Sequence, residues 1–449
     1  MPLRSVRTPL YCLCFLLLLS ACGKQQTLQA IFQKTTPHET YARRLRQSGL
    51  DQTALGRDWL AAADRALRDS LVVTLPFQET GFFRADQARA AAYRYAVREG
   101  ETVRISLTLD AGADVRVFLD AFELSPDNAP PRFISSADTA AATFSYVAED
   151  DRQHLLRVQP ELLRTGRYTL SIQREPSLAF PVQGKNDVAV GSFWGVDRDA
   201  GTRRHEGIDI FAKRGTPVVA VAPGLITRVN DTPRGGKVVW LADTEHGQHL
   251  YYAHLDQQLV QAGQTVQIGD TLGLVGNTGN ARTTPPHLHF GIYRGGRGAV
   301  DPFPFVRRAD EMPAAPRTSA ERLGQWVRVR EKRADLRLSP AAKGTATLAS
   351  LVRNTPLLVV GSQTDYYRVE HPGGQIGYIA ARSVVSAAAE PLRRELLAAA
   401  TNLIKLPQAG IPPFDTLPAR TNVVILGEVA GFQLISSAAG VVGWAAKAG

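Results

Sequence analysis

Apolar and polar residues alternate along most of this chain. From Tyr93, Tyr95 and Val97, through Val103, Ile105, Leu107 and Leu109, to Val115, Val117 and Leu119, hydrophobic side chains recur at every second position. That is the period of a strand with one buried face. Tyr168, Leu170 and Ile172 repeat it, and Gly and Asp between the runs supply turns, so a β-sandwich is predicted over 71–177. Upstream the period changes. Leu55, Trp59, Ala62, Ala63, Ala66 and Leu67 fall at helical spacing and Gly49 closes an earlier helix, which predicts short helices within 22–70. Strand signals return between 181 and 307 in "TPVVAVAPGLITRV", "KVVWLAD", "HLYYAHL" and "DTLGLVG". The run "EMPAAPRTSAE", within 308–322, has the composition of a linker. Beyond it the pattern repeats: Gly361 and Gly377-Tyr378 enclose Tyr366, and 66 residues later Gly427 and Gly443-Trp444 enclose Phe432. Two copies of one small β unit, 323–386 and 390–449, are the economical reading.

A chain of 449 residues exceeds what one core organises. The expected class is therefore mainly β and multidomain. The segments "ADLRLSP", "LLVVG", "DYYRVEH" and "GQIGYIAARSV" in the first repeat resemble the bacterial SH3-like domain, which implies two small SH3-like barrels, the second divergent.

The chain opens with Arg4 and Arg7, then an apolar run from Leu10 to Ala21. That run is short for a membrane span and fits a secretory leader over 1–21. Leu19-Ser20-Ala21-Cys22 resembles the lipobox of bacterial lipoproteins, which implies cleavage before Cys22 and lipidation of its thiol. The other cysteines, Cys12 and Cys14, lie in the leader, so the mature chain would have no disulfide and any metal site must use nitrogen and oxygen ligands. The expected location is the bacterial cell envelope, with the protein exported and held to a membrane through Cys22. The formal net charge of +10 suits anionic envelope polymers. Its basic residues are scattered among acidic ones with no interleaved aromatic stripe, which argues against nucleic acid as a partner.

The candidate chemistry lies in the histidines. Of nine, six (His205, His246, His249, His254, His287 and His289) fall within 85 residues. In "TTPPHLHFGIY", His287 and His289 sit at i and i+2 of a strand-like run and so point the same way. In "RRHEGIDIF", His205 precedes Asp209 by four residues; an extended strand would hold them more than about 10 Å apart, so both reach one ion only if the chain bends, which Gly207 permits, and a plain charged turn leading into a strand is equally open for these residues alone. Two imidazoles and a carboxylate form a three-ligand set that leaves zinc a fourth position for water, the mark of a catalytic rather than a structural site. His254 and His287 are then candidates to take the water's proton and to stabilise an oxyanion. Glu206 imitates the start of H-E-x-x-H, but position 209 is aspartate and the motif is not completed. His249, an odd number of residues from His254, would face the other side of an unbroken strand. Tyr252 would share the face of His254, with a place in the core or against a bound peptide both open.

H-x3-D at 205–209, Y-x-H-L at 252–255 and H-L-H at 287–289, with "GTPVVAVAPGLI", "VQIGDTLGLVGNTG" and "FGI" around them, resemble the M23 (lysostaphin or LytM-type) zinc metallopeptidases over about 181–307. The resemblance implies an antiparallel-β peptidase domain, one zinc per chain held by His205, Asp209 and His289, catalytic histidines His254 and His287, and peptide bonds of peptidoglycan as substrate. Thr284-Pro285-Pro286 stands where many members carry glycine. A non-catalytic peptidoglycan-binding regulator of other wall hydrolases is the rival that the same family allows.

Overall fold

A computed structural model describes residues 35–110, 115–127, 129–138, 142–313, 315–341 and 343–447. The leader expected over 1–21 and Cys22 lie outside the described residues. Among those residues, no helix is long and apolar enough to cross a membrane.

Two helices open the described chain. Helix α1 (Pro37–Gln47) starts where Thr36 and Glu39 form a reciprocal capping box with Pro37 in the first turn, and the Thr53 hydroxyl caps α2 (Ala54–Ala66). Ala42, Leu45 and Trp59 pack on Phe118, so both helices lie against the outer face of a sheet. That sheet runs β1-β3-β8-β5-β6, from β1 (Leu71–Val72), β3 (Ala91–Val97), β8 (Arg152–Pro160), β5 (Val117–Leu124) and β6 (Arg132–Ser136). Facing it, β2 (Phe77–Phe83), β9 (Gly166–Pro176), β4 (Glu101–Leu109) and β7 (Thr143–Val147) lie side by side in that order. Tyr93, Tyr95 and Val97 meet Val103, Ile105, Tyr168, Leu170 and Ile172 in the shared core. The alternation in sequence is this two-sided packing.

The second unit is an antiparallel sheet of ten strands. Its main path runs β10 (Val190–Ser192), β13 (Ile208–Phe211), β20 (His287–Arg294), β17 (Gln248–Gln258), β16 (Gly236–Asp243), β15 (Gly224–Thr232), β18 (Thr265–Val266). A two-stranded ribbon of β11 (Asp197–Arg198) and β12 (Arg203–Arg204) stands beside it; β14 (Pro217–Val219), β19 (Thr271–Val275) and β21 (Gly298–Val300) pair off the path. Ile208, Ile210, Leu250, Tyr252, Leu288, Phe290 and Ile292 fill the core on one face. The residues between them in sequence are therefore left to line the other.

The expected SH3-like barrels are not found: no sheet closes on itself among the described residues. Strands Thr347–Val352, Arg333–Arg337, Ile376–Ala380, Tyr366–Glu370 and Pro356–Ser362 continue in that order onto β2, β9, β4 and β7, and with Trp326–Val329 and Val384–Ser386 paired off that path they make one sheet of eleven strands. Trp326–Val329 pairs with the start of Pro356–Ser362, and β2 takes its end, with Thr80 opposite Ser362 and Gly81 opposite Gly361. The junction is fixed by a buried charge. Arg368 Nε donates to Glu79 Oε1 at 2.8 Å, and the Tyr93 and Tyr378 hydroxyls donate to the same carboxylate. A side chain at Gly361 would strike that carboxylate, with a Cβ 2.8 Å from it. The second repeat forms an open four-stranded sheet, Arg393–Leu396, Asn422–Val429, Phe432–Ser437 and Val442–Ala446, beside a two-stranded ribbon.

Candidate metal centre

The antiparallel register of β13, β20 and β17 sets the site. Asp209 lies opposite His289, Phe211 opposite His287, and Ala253 opposite His289 on its other side. With Ile208, Ile210, Leu288 and Phe290 turned into the core, Asp209, His287 and His289 share the opposite face, where directly paired side chains stand about 5 Å apart.

His205 arrives from the turn before β13. Its backbone N–H donates to Val196 O at 2.9 Å, tying the turn to the segment ahead of β11. Gly207 sits in the bend, but the need for glycine is one of space: an added Cβ would lie 2.5 Å from the Phe290 carbonyl oxygen and 2.8 Å from the His289 imidazole. The His289 ring occupies the room a side chain would take.

Three ligand-type atoms converge. His205 Nε2 is 3.0 Å from Asp209 Oδ1 and 3.0 Å from His289 Nδ1, which is itself 3.0 Å from the same oxygen. His205 Nδ1 lies 2.8 Å from Phe193 O, and against a carbonyl only an N–H makes that bond. In the neutral ring, Nε2 therefore presents a lone pair to a carboxylate oxygen. The other oxygen, Oδ2, accepts from Arg198 Nη2 at 2.6 Å, and Arg198 is braced by Ser192 Oγ at 2.7 Å. Burial works to raise the Asp209 carboxyl, yet the imidazoles of His205 and His289 against it outweigh burial and hold the group well below the usual carboxylate range. Burial pushes the His289 imidazole down, with Asp209 opposing. Ligand atoms about 2.0–2.1 Å from a tetrahedral zinc stand about 3.3 Å from one another. A nitrogen, nitrogen, oxygen set at near that spacing, ionised and poor in protons, fits one such ion per chain.

Two further imidazoles face the same groove. His254 Nδ1 lies 2.9 Å from Thr278 O and His287 Nδ1 2.9 Å from Pro285 O, so both rings turn Nε2 to the groove, that of His287 standing 4.0 Å from Asp209 Oδ1. Burial, with repulsion from His289 and His287, lowers His254 to about 4, leaving it neutral at pH 7. Its φ is +62°, in the left-handed region uncommon for a side chain of this size. That break undoes the simple alternation along β17. Tyr251 lines the groove and Tyr252 is fully buried, its hydroxyl accepting from Val221 N, while His254 turns back to the groove. Tyr252 is thus a core residue. His249 pairs with Tyr293 on an exposed stretch, and His246 binds Asp243 at 2.8 Å; neither lines the groove.

The groove encloses about 530 Å³. Trp240, Tyr251 and Tyr293 form an aromatic wall, with Trp240 and Tyr251 ring centroids 4.5 Å apart, and Glu206 accepts from the Tyr293 hydroxyl at 3.3 Å. Arg198, Arg234 and Thr284 lie on the rim. The sequence reading missed Arg198 and the aromatic wall. Trp240 and Tyr251 are cross-strand partners in β16 and β17, a pairing that only the register reveals.

Residues 203–302 match peptidase family M23. The chain is 37% identical over 140 residues to an L-Ala--D-Glu endopeptidase of Bacillus subtilis, covering 29% of this chain and 43% of that one. It is 32% identical over 130 residues to the peptidoglycan DD-endopeptidase ShyA of Vibrio cholerae, covering 28% of each. The catalytic domain of lysostaphin from Staphylococcus simulans aligns over 26% of this chain and 89% of its own, at 32% identity and a TM-score of 0.24. The chain spans less than half the length of the curated relatives it matches.

Proposed function

We propose that this chain, which carries an M23-family peptidase domain over 203–302, is a zinc-dependent endopeptidase that cleaves peptide bonds of bacterial peptidoglycan at the cell envelope. One observation carries the reading: His205 Nε2, Asp209 Oδ1 and His289 Nδ1 converge beside two imidazoles whose Nε2 atoms face the same groove. The relatives named for peptidoglycan endopeptidase activity support the substrate class.

In this reading His205, Asp209 and His289 hold the zinc ion. Zinc supplies Lewis acidity, which polarises a scissile carbonyl and lowers the pKa of water. The chain's own groups do the rest. Phe193 O fixes the His205 tautomer, and Arg198 turns Oδ1 of Asp209 toward the imidazoles. His254 Nε2, neutral at pH 7, takes the proton of the attacking water and returns it to the leaving amine. His287 Nε2, when it carries the proton, donates a hydrogen bond to the oxyanion. The aromatic wall of Trp240, Tyr251 and Tyr293 aligns the peptide. Export and lipidation at Cys22, outside the described residues, would hold the domain at a membrane facing its polymer substrate.

A regulator without catalysis needs no such convergence of five side chains. The test is release of fragments from purified peptidoglycan by protein containing one zinc per chain, with both zinc and hydrolysis lost in His289→Ala. Hydrolysis retained by that variant refutes the ligand assignment.

A further inference from the structure

Helix α2 ends at Ala66, which packs on Ala92, Phe122 and Leu155 of the sheet beneath it. Past its last turn a cleft of about 1020 Å³ opens between Arg68, the outer face of β3 at Arg94, the start of β8 at Arg152, and the loop after β5 with Pro130 and Pro131. It lies on the N-terminal unit, apart from the groove that holds the histidines.

The guanidiniums of Arg68, Arg94 and Arg152 all line this cleft, and none makes a hydrogen bond or ion pair with a described residue. Arg152 goes further: its Nε is buried with no acceptor at all. Buried donors are nearly always paired, so an orphaned guanidinium N–H asks for a missing acceptor. The N-terminal unit shows the usual outcome at Arg157, whose buried guanidinium is bound to Asp120 at 2.8 Å.

The chemistry of the lining narrows the acceptor. Two carboxylates, Asp64 and Asp151, also border the cleft, and Asp151 Oδ1 already accepts from the Glu99 N–H at 2.8 Å. The three guanidiniums face Asp64 and Asp151, and Asp127 on the bordering loop also feels the charge of Arg152, so the small positive surplus suits a monoanion better than a phosphate dianion. The planar guanidinium matches a carboxylate with two parallel hydrogen bonds. Leu67, Leu124 and the prolines make most of the remaining wall apolar, beside Ser70, Ser125 and Gln153, so the body attached to that carboxylate is mainly apolar as well.

We propose that this cleft is a second, non-catalytic ligand site, which takes the free carboxylate end of an apolar peptide on Arg68, Arg94 and Arg152. Its position suits a polymer that also enters the peptidase groove. Asp151 and Arg152 continue into a hollow along the seam between the two units, which reaches Trp194, the neighbour of Phe193 whose carbonyl holds His205.

The test is a binding titration on the full chain, with chelator present so that hydrolysis does not intervene. The probe is a fluorescent acetyl-Ala-Leu-Ala peptide with a free C-terminus, compared with its carboxamide twin. The free acid is expected to bind at least tenfold more tightly than the amide. Arg94→Gln and Arg68→Gln should each remove most of that difference, and Arg68 is exposed at the end of α2, so its replacement leaves the fold intact. Equal binding of acid and amide, binding of neither, or displacement of the peptide by inorganic phosphate at equal concentration each overturn the proposal. Because no metal is required for this readout, loss of hydrolysis would leave it standing, and its failure would leave the peptidase reading untouched.

Discussion

His254 and His287 meet edge to face, with ring centroids 5.1 Å apart, and each has its Nδ1 anchored on a backbone carbonyl. The anchors fix both tautomers with Nε2 toward the groove, the arrangement a proton relay requires. Neither ring belongs to the cluster of converging ligand atoms. Replacing either by alanine is therefore expected to lower kcat by about 10²–10⁴-fold, the usual worth of a positioned acid or base, while zinc content stays at one per chain. Turnover of a defined muropeptide, measured beside metal analysis, checks both halves. A variant that loses zinc in step with activity would show that the histidine holds the metal instead.

Arg198 does a different job. It ties down the one Asp209 oxygen that does not face the imidazoles, so Arg198→Gln should leave the carboxylate free to rotate. Partners of this kind are worth about 10–100-fold in metal affinity. The expected outcome is a drop of that size in competition against a fluorescent chelator, with Arg198→Lys restoring part of it. Unchanged zinc affinity in the glutamine variant would remove Arg198 from the support of the site.

Gly207 tests the space argument. Gly207→Ala places a methyl group against the Phe290 carbonyl oxygen and the His289 ring, and one of them must move. Overpacking of this sort costs about 1–3 kcal/mol. We expect a lower unfolding midpoint together with weakened zinc binding, because the displaced group includes a ligand. Full zinc affinity with lowered stability would mean that the strand carrying Phe290 yields and the imidazole does not.

How these features read in sequence follows from how local their causes are. His287 and His289 were legible because strand alternation sets them on one face away from Leu288 and Phe290, a sorting that needs only neighbours in the chain, and Asp209 was legible through its spacing from His205 across Gly207. His254 was legible as a histidine in a family pattern but not as a groove residue by alternation, since its positive φ reverses the order and buries Tyr252. Arg198 lies in an arginine-rich ribbon whose members look alike until Asp209 selects one. The expected barrels failed for the opposite reason. The repeats at 323–386 and 390–449 carry genuine β patterns, but whether a sheet closes depends on which edge remains free. Here the partner of Gly361 is Gly81, far upstream, and no local pattern records that choice.

The Glu79–Arg368 pair sits where that long-range choice is made, and both side chains are almost wholly withdrawn from solvent. Removing one partner strands the other charge, so Arg368→Met alone should destabilise the protein by about 3–5 kcal/mol. The double variant Glu79→Leu/Arg368→Met should recover much of the loss, since a buried pair is dear to desolvate and an apolar substitute is not. Urea unfolding of the wild type, both single variants and the double variant measures the coupling. Additive losses would show that the pair does not fasten β2 to the C-terminal strands.

Two buried histidines make the N-terminal unit sensitive to acid. Burial, then the charge of Arg157, lowers His38 to about 3, against a weaker opposing hydrogen bond with Gln159. Burial lowers His154 to about 4. An unfolded histidine titrates near 6.5, so between that pH and about 3–4 the unfolded chain binds protons that the folded chain refuses. Stability therefore rises with pH across this window and is lost as the pH falls through it, by an amount on the order of a few kcal/mol. His38 stacks on Trp59 with ring centroids 4.7 Å apart, so the test substitution must keep a flat ring and remove the titration. His38→Phe should flatten the fall in stability between pH 6.5 and pH 4 in urea titrations, even though losing the Gln159 bond lowers stability at pH 7. The same slope in His38→Phe/His154→Phe as in the wild type would assign the acid sensitivity to other groups.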